Sequence, residues 1–174
     1  MKRGLIIGEN FQYEKGLIID IIYPWLIEIG DDVIFSANVT VLAHDAGLKN
    51  QLGLIRVGSV KIGNRVFVGL GTIILPNVCI GDDVIIGAGS VVSKNVPSGS
   101  VVAGVPAKQI CSMHDYLKKI VELSKNCPNY PIDLNPLKLS IAYKNRMKIE
   151  LKETIGLKKA VNYYDFNSLE KYDT

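Results

Sequence analysis

Only two histidines occur in the 174 residues, and one of them stands where it could do chemistry. His44 lies in Asn38-Val-Thr-Val-Leu-Ala-His44-Asp45, at the mouth of a stretch that interrupts a regular repeat. Imidazole titrates near neutral pH, so it is suited to take the proton from a weak hydroxyl nucleophile. The alternative is a surface or capping histidine. A catalytic imidazole needs a partner on its second nitrogen to fix the tautomer. Asp45 is adjacent in sequence, and Asp20, in Ile18-Ile19-Asp20-Ile21, falls on a coil that could stack beneath. Trp25, the sole tryptophan, could stack on a ring-shaped acceptor beside the base or pack the early coils. His114 reads as structural, in a helix start with Ser112 as N-cap. Gly87-Ala88-Gly89 lacks the third glycine of a dinucleotide fingerprint. Cys79, Cys111 and Cys127 are odd in number, widely spaced and without a CxxC pair, which argues against disulfides and zinc. No metal is expected.

These side chains must be positioned by something, and the sequence shows what. Ile-Gly-Asp-Asp-Val-Ile occurs at 29–34 and again at 80–85, with a close relative, Ile-Gly-Asn-Arg-Val-Phe, at 62–67. From Ile62 an aliphatic residue returns at every sixth position: Val68, Ile74, Ile80, Ile86 and Val92. Four places after each stands Val66, Thr72, Val78, Val84, Ser90 or Val96. An upstream series extends the register through Leu17, Tyr23, Ile29, Phe35 and Val41. A period of six fits neither a helix nor a simple strand. It fits a triangular coil of three hexads, aliphatics pointing to the axis, with the small residue after each anchor allowing a tight corner. Coils then stack as parallel strands about 4.8 Å apart. From Ile29 to Ile62 is one coil plus about 15 residues, so an excursion spanning 45–59 leaves the repeat there. Long excursions from compact scaffolds are often functional.

Three segments resemble the hexapeptide-repeat acyltransferases, and within them the sugar and polysaccharide O-acetyltransferases. They are Pro24-Trp-Leu-Ile-Glu-Ile-Gly-Asp-Asp-Val-Ile, the His44 segment, and Ile86 to Pro97 followed by Ala103-Gly-Val-Pro-Ala-Lys108. The resemblance covers about residues 5–111 and implies an all-β solenoid, a left-handed parallel β-helix. It implies an acetyl-CoA-dependent enzyme that acetylates a hydroxyl of a sugar or surface-polysaccharide precursor, with His44 as general base in direct transfer. It implies a homotrimer that binds acetyl-CoA between neighbouring subunits. By the same resemblance Gly69 and Gly71 bind the cofactor, Ala88 lies along its pantetheine arm, Ser93 and Lys94 contact it near the adenosine end, and Lys108 lies near the same phosphates. Asp20, Trp25 and Asp45 are the candidates for orienting the base or holding the acceptor. Other readings are acetylation of an amino sugar, of serine or of an antibiotic, and, from a different class, a non-catalytic trimeric scaffold.

Composition agrees with a folded enzyme and narrows its partners. Hydrophobic residues make up 48% of the chain and charged residues 21%, which excludes intrinsic disorder. A net charge of +3 is too small to argue for nucleic acid. No apolar run is long enough for a transmembrane segment, and the apolar stretch near Met1 is too short for a signal peptide, so a cytoplasmic location is expected. The β-helix domain is assigned to 1–111. Residues 112–174 are read as a C-terminal helical extension. Met113, Tyr116, Leu117, Ile120 and Val121 recur at helical spacing, Pro128, Pro131 and Pro136 break the chain, and 137–155 is a second helix. Seven basic and two acidic residues between Lys138 and Lys159 read as a solvated face, or as contact with a membrane-linked glycan carrier.

Overall fold

The computed structural model describes residues 4–130, 138–152 and 154–158. The chain divides into two compact units, Met1–Met113 and His114–Thr174.

The first unit is a parallel β-helix with three faces. Its first face stacks Ile6–Ile7, Ile27–Ile29, Val60–Ile62 and Val78–Ile80. The second stacks Gln12–Tyr13, Ile34–Phe35, Phe67–Val68, Ile85–Ile86 and Ser100–Ala103, and Lys108–Ser112 closes it antiparallel. The third stacks Ile18–Ile19, Thr40–Val41, Ile73–Ile74 and Val91–Val92. Every other pairing between coils is parallel, as a left-handed β-helix of this repeat requires. The anchors Ile62, Val68, Ile74, Ile80, Ile86 and Val92 are all buried, as are Val66, Thr72, Val78, Val84, Ser90 and Val96 four places on. β-Branched aliphatics suit this axis because their stiff side chains fill a narrow, strand-lined core. The two polar members are satisfied: the hydroxyls of Thr72 and Ser90 both donate to the carbonyl of Gly87.

The corner glycines owe their place to stacking rather than to turning. Those after the anchors do not adopt positive φ; that conformation falls two residues later, at Arg65, Gly71, Asn77, Asp83 and Gly89. A Cβ on Gly63 would lie 2.7 Å from the backbone carbon of Gly81, one coil on. Between these positions side chains tie the coils together. Asp31 N–H donates to Asn64 Oδ1, Asn64 N–H to Asp82 Oδ1, and Asp82 N–H to Ser98 Oγ.

The upstream register is corrected at Leu17 and Tyr23. Ile19, not Leu17, is the anchor of its coil, because it pairs with Val41. Ile6 pairs with Glu28, 22 positions on, so the first coil carries four residues more than three hexads need. The excess falls after Asp20, where the chain makes a short turn into a 3-10 segment, Pro24–Leu26. Tyr23 belongs to this insertion and not to the repeat. The excursion is ordered: His44–Asp45 pairs antiparallel with Arg56–Val57, and helix α1 (Lys49–Leu52) caps the hairpin. Gly58 N–H donates to the Ala43 carbonyl, and the chain rejoins the first face at Val60.

The second unit contains most of helix α2 (Met113–Ser124), a short parallel pair of Asn129–Tyr130 with Leu157–Lys158, and helix α3 (Ile141–Glu150). Ser112 ends a strand immediately before α2. The second helix is shorter than 137–155: Ser140 starts it by accepting the Tyr143 N–H, and Leu151 caps its C-terminus. Pro131, Pro136 and Lys159 lie outside the described residues. Among the described residues no helix is long and apolar enough to cross a membrane.

Gly63→Ala should destabilise the β-helix by about 1–3 kcal/mol, because the methyl group meets backbone that cannot yield. Ile86→Ala should cost about 2–5 kcal/mol through the cavity it leaves. Urea midpoints test both; a Gly63→Ala midpoint equal to that of the parent would refute the stacking role.

Candidate functional site

The corner between the third and first faces brings four of the candidate residues together. Asp20 directly follows the third-face strand Ile18–Ile19 of the first coil, and His44 opens the hairpin strand just after Thr40–Val41 of the coil above. The stacking of Ile18–Ile19 under Thr40–Val41 brings both residues to the same corner, where the Asp20 side chain reaches His44. The Asp20 side chain is fully buried, and its two oxygens divide the work. Oδ1 accepts the N–H groups of Ile22 (2.9 Å) and Tyr23 (3.1 Å), which turns the inserted residues. Oδ2 accepts the Ala43 N–H at 2.9 Å and contacts His44 Nδ1. Burial pushes the Asp20 carboxyl up, but the His44 contact and the three backbone N–H donors outweigh it and hold it below the ordinary carboxylate value. An ionised Asp20 makes Nδ1 the protonated nitrogen of His44. That leaves the Nε2 lone pair available. The His44 side chain is 29% exposed, enough to reach a ligand.

Aromatic rings line the other side of the imidazole. Tyr23 meets His44 edge-on, with centroids 5.3 Å apart, and Trp25 packs on Tyr23 at 5.6 Å. Trp25 and Ile22 are half exposed, and Ile21 is exposed further. Tyr23 is the residue that sequence reasoning missed at this site, because it was placed in the hexad register. The signal was Asp20-x-Ile22-Tyr23-Pro24, an aspartate that caps its own downstream N–H groups ahead of a proline.

Asp45 does not meet the imidazole through a hydrogen bond. Its carboxylate accepts from Arg56 Nε at 2.7 Å and from the Gly47 N–H at 3.0 Å, which fastens the hairpin. These contacts, Arg56 first, hold Asp45 below the usual carboxylate range.

The remaining candidates form separate groups. Gly69, Gly71 and Ala88 stack at the corner between the second and third faces, on the far side of the third face from His44. A Cβ on Gly69 would lie 2.5 Å from the Ala88 nitrogen, and nothing stands within 4 Å of one on Gly71 or Gly89. The result is a side-chain-poor shelf with Ala88 exposed on it. Such a shelf leaves room for a narrow linear arm along the backbone, and a bulky residue there would fill it. Ser93 and Lys94 are exposed beyond the last third-face strand, two coils after His44, and Lys108 is exposed at the start of the closing antiparallel strand. One chain thus carries His44 on one corner and the shelf on another. Among the described residues no group of three or more His, Cys, Asp or Glu side chains is arranged to hold a metal.

Comparisons with known proteins agree on the scaffold. Residues 59–94 match the bacterial transferase hexapeptide (six repeats) family. The chain is 41% identical over 103 residues to Protein CapG of Staphylococcus aureus, covering 57% of this chain and 60% of that protein. It is 36% identical over 119 residues to the putative acetyltransferase YvoF of Bacillus subtilis (strain 168), covering 67% of each. Among solved structures it is similar to a galactoside acetyltransferase in complex with coenzyme A, at TM-score 0.59 and 36% identity, over 66% of this chain and 58% of that one. The chain therefore spans about 60% of the length of CapG and of the galactoside enzyme. With its hexad core, its interrupted coil and its match across two thirds of YvoF, the chain belongs to the bacterial hexapeptide-repeat transferase family.

Proposed function

We propose that the protein is an acetyl-CoA-dependent O-acetyltransferase acting on a hydroxyl of a sugar or surface-polysaccharide precursor. The observation that carries this reading is the buried Asp20 carboxylate held against His44 Nδ1. It supports a base whose free nitrogen, Nε2, is fixed in identity and direction. His44 Nε2 takes the proton of the acceptor hydroxyl as its oxygen attacks the thioester carbonyl. The carbon–sulfur bond breaks, and the CoA sulfur leaves with the proton that the imidazolium returns. Backbone N–H groups at the coil edge stabilise the charge developing on the carbonyl oxygen. Trp25 offers an exposed aromatic face to a sugar ring beside the base. Galactoside acetylation by a similar protein favours a hydroxyl acceptor over an amine.

The shelf of Gly69, Gly71 and Ala88 suits the pantetheine arm. Ser93, Lys94 and Lys108 suit the adenosine and phosphates, where ammonium groups are matched to anions. These groups and His44 sit on different corners, so a complete site calls for two neighbouring subunits. A cytoplasmic homotrimer, closed with three-fold symmetry, supplies them.

His44→Ala should lower kcat by about 10²–10⁴ while the fold is kept, read as release of free CoA from acetyl-CoA in the presence of soluble sugars. Asp20→Asn should lower kcat by about 10–10³ with KM for acetyl-CoA unchanged, since the imidazole loses its orienting charge and not its cofactor. Near-normal turnover by His44→Ala would overturn the assignment. Ala88→Phe should abolish acetyl-CoA binding in calorimetry without unfolding the protein; unchanged affinity would remove the shelf from the site.

Asp20 also links the site to acid stability. Its carboxyl lies lower in the folded chain than its ordinary value of 3.8, so its ionised form favours folding at neutral pH. That contribution is present above about pH 4 and is lost as the pH falls through the folded value. The Asp20→Asn variant should therefore lose less stability than the parent between about pH 5 and pH 2. Parallel melting curves down to pH 2 would count against this.

A further inference from the structure

Helix α3 presents two rows of side chains that are exposed among the described residues. Its packed side is formed by Tyr143, Met147 and Glu150, all partly buried. Glu150 accepts from the Tyr130 hydroxyl at 3.0 Å and from Arg146 Nε at 2.6 Å, so the arginine charge is neutralised within the unit. On the opposite side Ile141, Asn145 and Ile149 stand four residues apart, and both isoleucines are among the most exposed large hydrophobic residues described, at 78% and 77%. Beside them run Lys144 and Lys148, continued by Lys152 just past the Leu151 cap. None of the three meets a carboxylate among the described residues.

This arrangement works against the isolated helix. Like charges four residues apart repel one another and weaken it. Two isoleucines exposed to water gain nothing until something apolar covers them. A surface that is both anionic and apolar relieves both costs. Phospholipid bilayers with acidic headgroups have that chemistry: headgroups pair with the lysine row while the isoleucines enter the headgroup–acyl boundary. An anionic polysaccharide would use the lysines alone.

We propose that the Lys144–Lys148–Lys152 and Ile141–Ile149 rows of α3 form a peripheral docking face for an anionic lipid surface. This stands independently of the acetyl-transfer reading, because none of these residues belongs to the candidate site. The test is sedimentation of the full chain with vesicles of phosphatidylcholine alone or with about a third phosphatidylglycerol. Binding should require the acidic lipid and fall steeply with salt. The Lys144→Glu/Lys148→Glu/Lys152→Glu variant should lower partitioning by about a hundredfold or more. Ile141→Ser/Ile149→Ser should lower it at least several-fold at constant charge. Both should keep the parent's circular dichroism and its CoA release with a soluble acceptor. If the glutamate variant fails to fold, Lys→Gln at the same three positions and the salt titration of the parent carry the same test. Absence of binding, equal binding to neutral vesicles, or full binding by the isoleucine variant would overturn the proposal, the last pointing to a purely ionic polymer instead.

Discussion

The spacing between stacked coils governs everything built on them. Each coil donates and accepts backbone hydrogen bonds with the next, as when Gly69 N–H donates to the Ile86 carbonyl and Ile34 N–H to the Val66 carbonyl. Those bonds hold the chains at strand spacing, so no atom can intervene where two corners lie against each other. Side chains must then go inward, where mostly aliphatic residues pack with Phe35, Thr72 and Ser90, or outward, where they meet water. At Gly63 and Gly69 neither direction is open and hydrogen is the only tolerated substituent. The same stacking brings Asp20 and His44 to one corner, since they follow strands that are paired residue by residue.

Burying a carboxylate is costly unless its lone pairs are filled. Asp20 meets this condition with three backbone N–H donors and an imidazole. One side chain therefore fixes the turn of the inserted residues, the exit of the second coil at Ala43, and the tautomer of His44. The insertion and the excursion are consequently not independent decorations of the solenoid. The first brings Tyr23 and Trp25 to the imidazole, the second carries the imidazole itself, and both hang from the same carboxylate. Asp45 serves the excursion differently, by pairing with Arg56 across the hairpin.

The two units obey different physics. In the β-helix nearly every large aliphatic on the axis is removed from water. In the second unit the described core is small, centred on Tyr130 with Glu150 and Arg146, and α3 has no fully buried residue. Among the described residues the outer side of α3 stays exposed, so its composition there is informative.

The period of six was legible because it is dictated by backbone geometry repeated coil after coil, so Ile62 through Val92 declared both the axis and the corners. The excursion was legible as a 15-residue excess between Ile29 and Ile62, and the structure pairs Ile29 with Ile62 across it. The four-residue insertion after Asp20 was not, because Leu17 and Tyr23 happened to continue the spacing of six by sequence alone. Only pairing of Ile19 with Val41 distinguishes that coincidence from a true register. The sequence offered Asp20 and Asp45 as partners for His44, with Asp45 the weaker of the two. Adjacency favoured neither, because residues next to each other on an extended chain point to opposite sides. What decided between them was a contact across 24 positions, set by coil stacking, together with the hairpin that gives Asp45 an arginine of its own. Hydrophobic periodicity is a local property and can be read along the chain; the partner of a buried charge is fixed by what folding brings within reach of it.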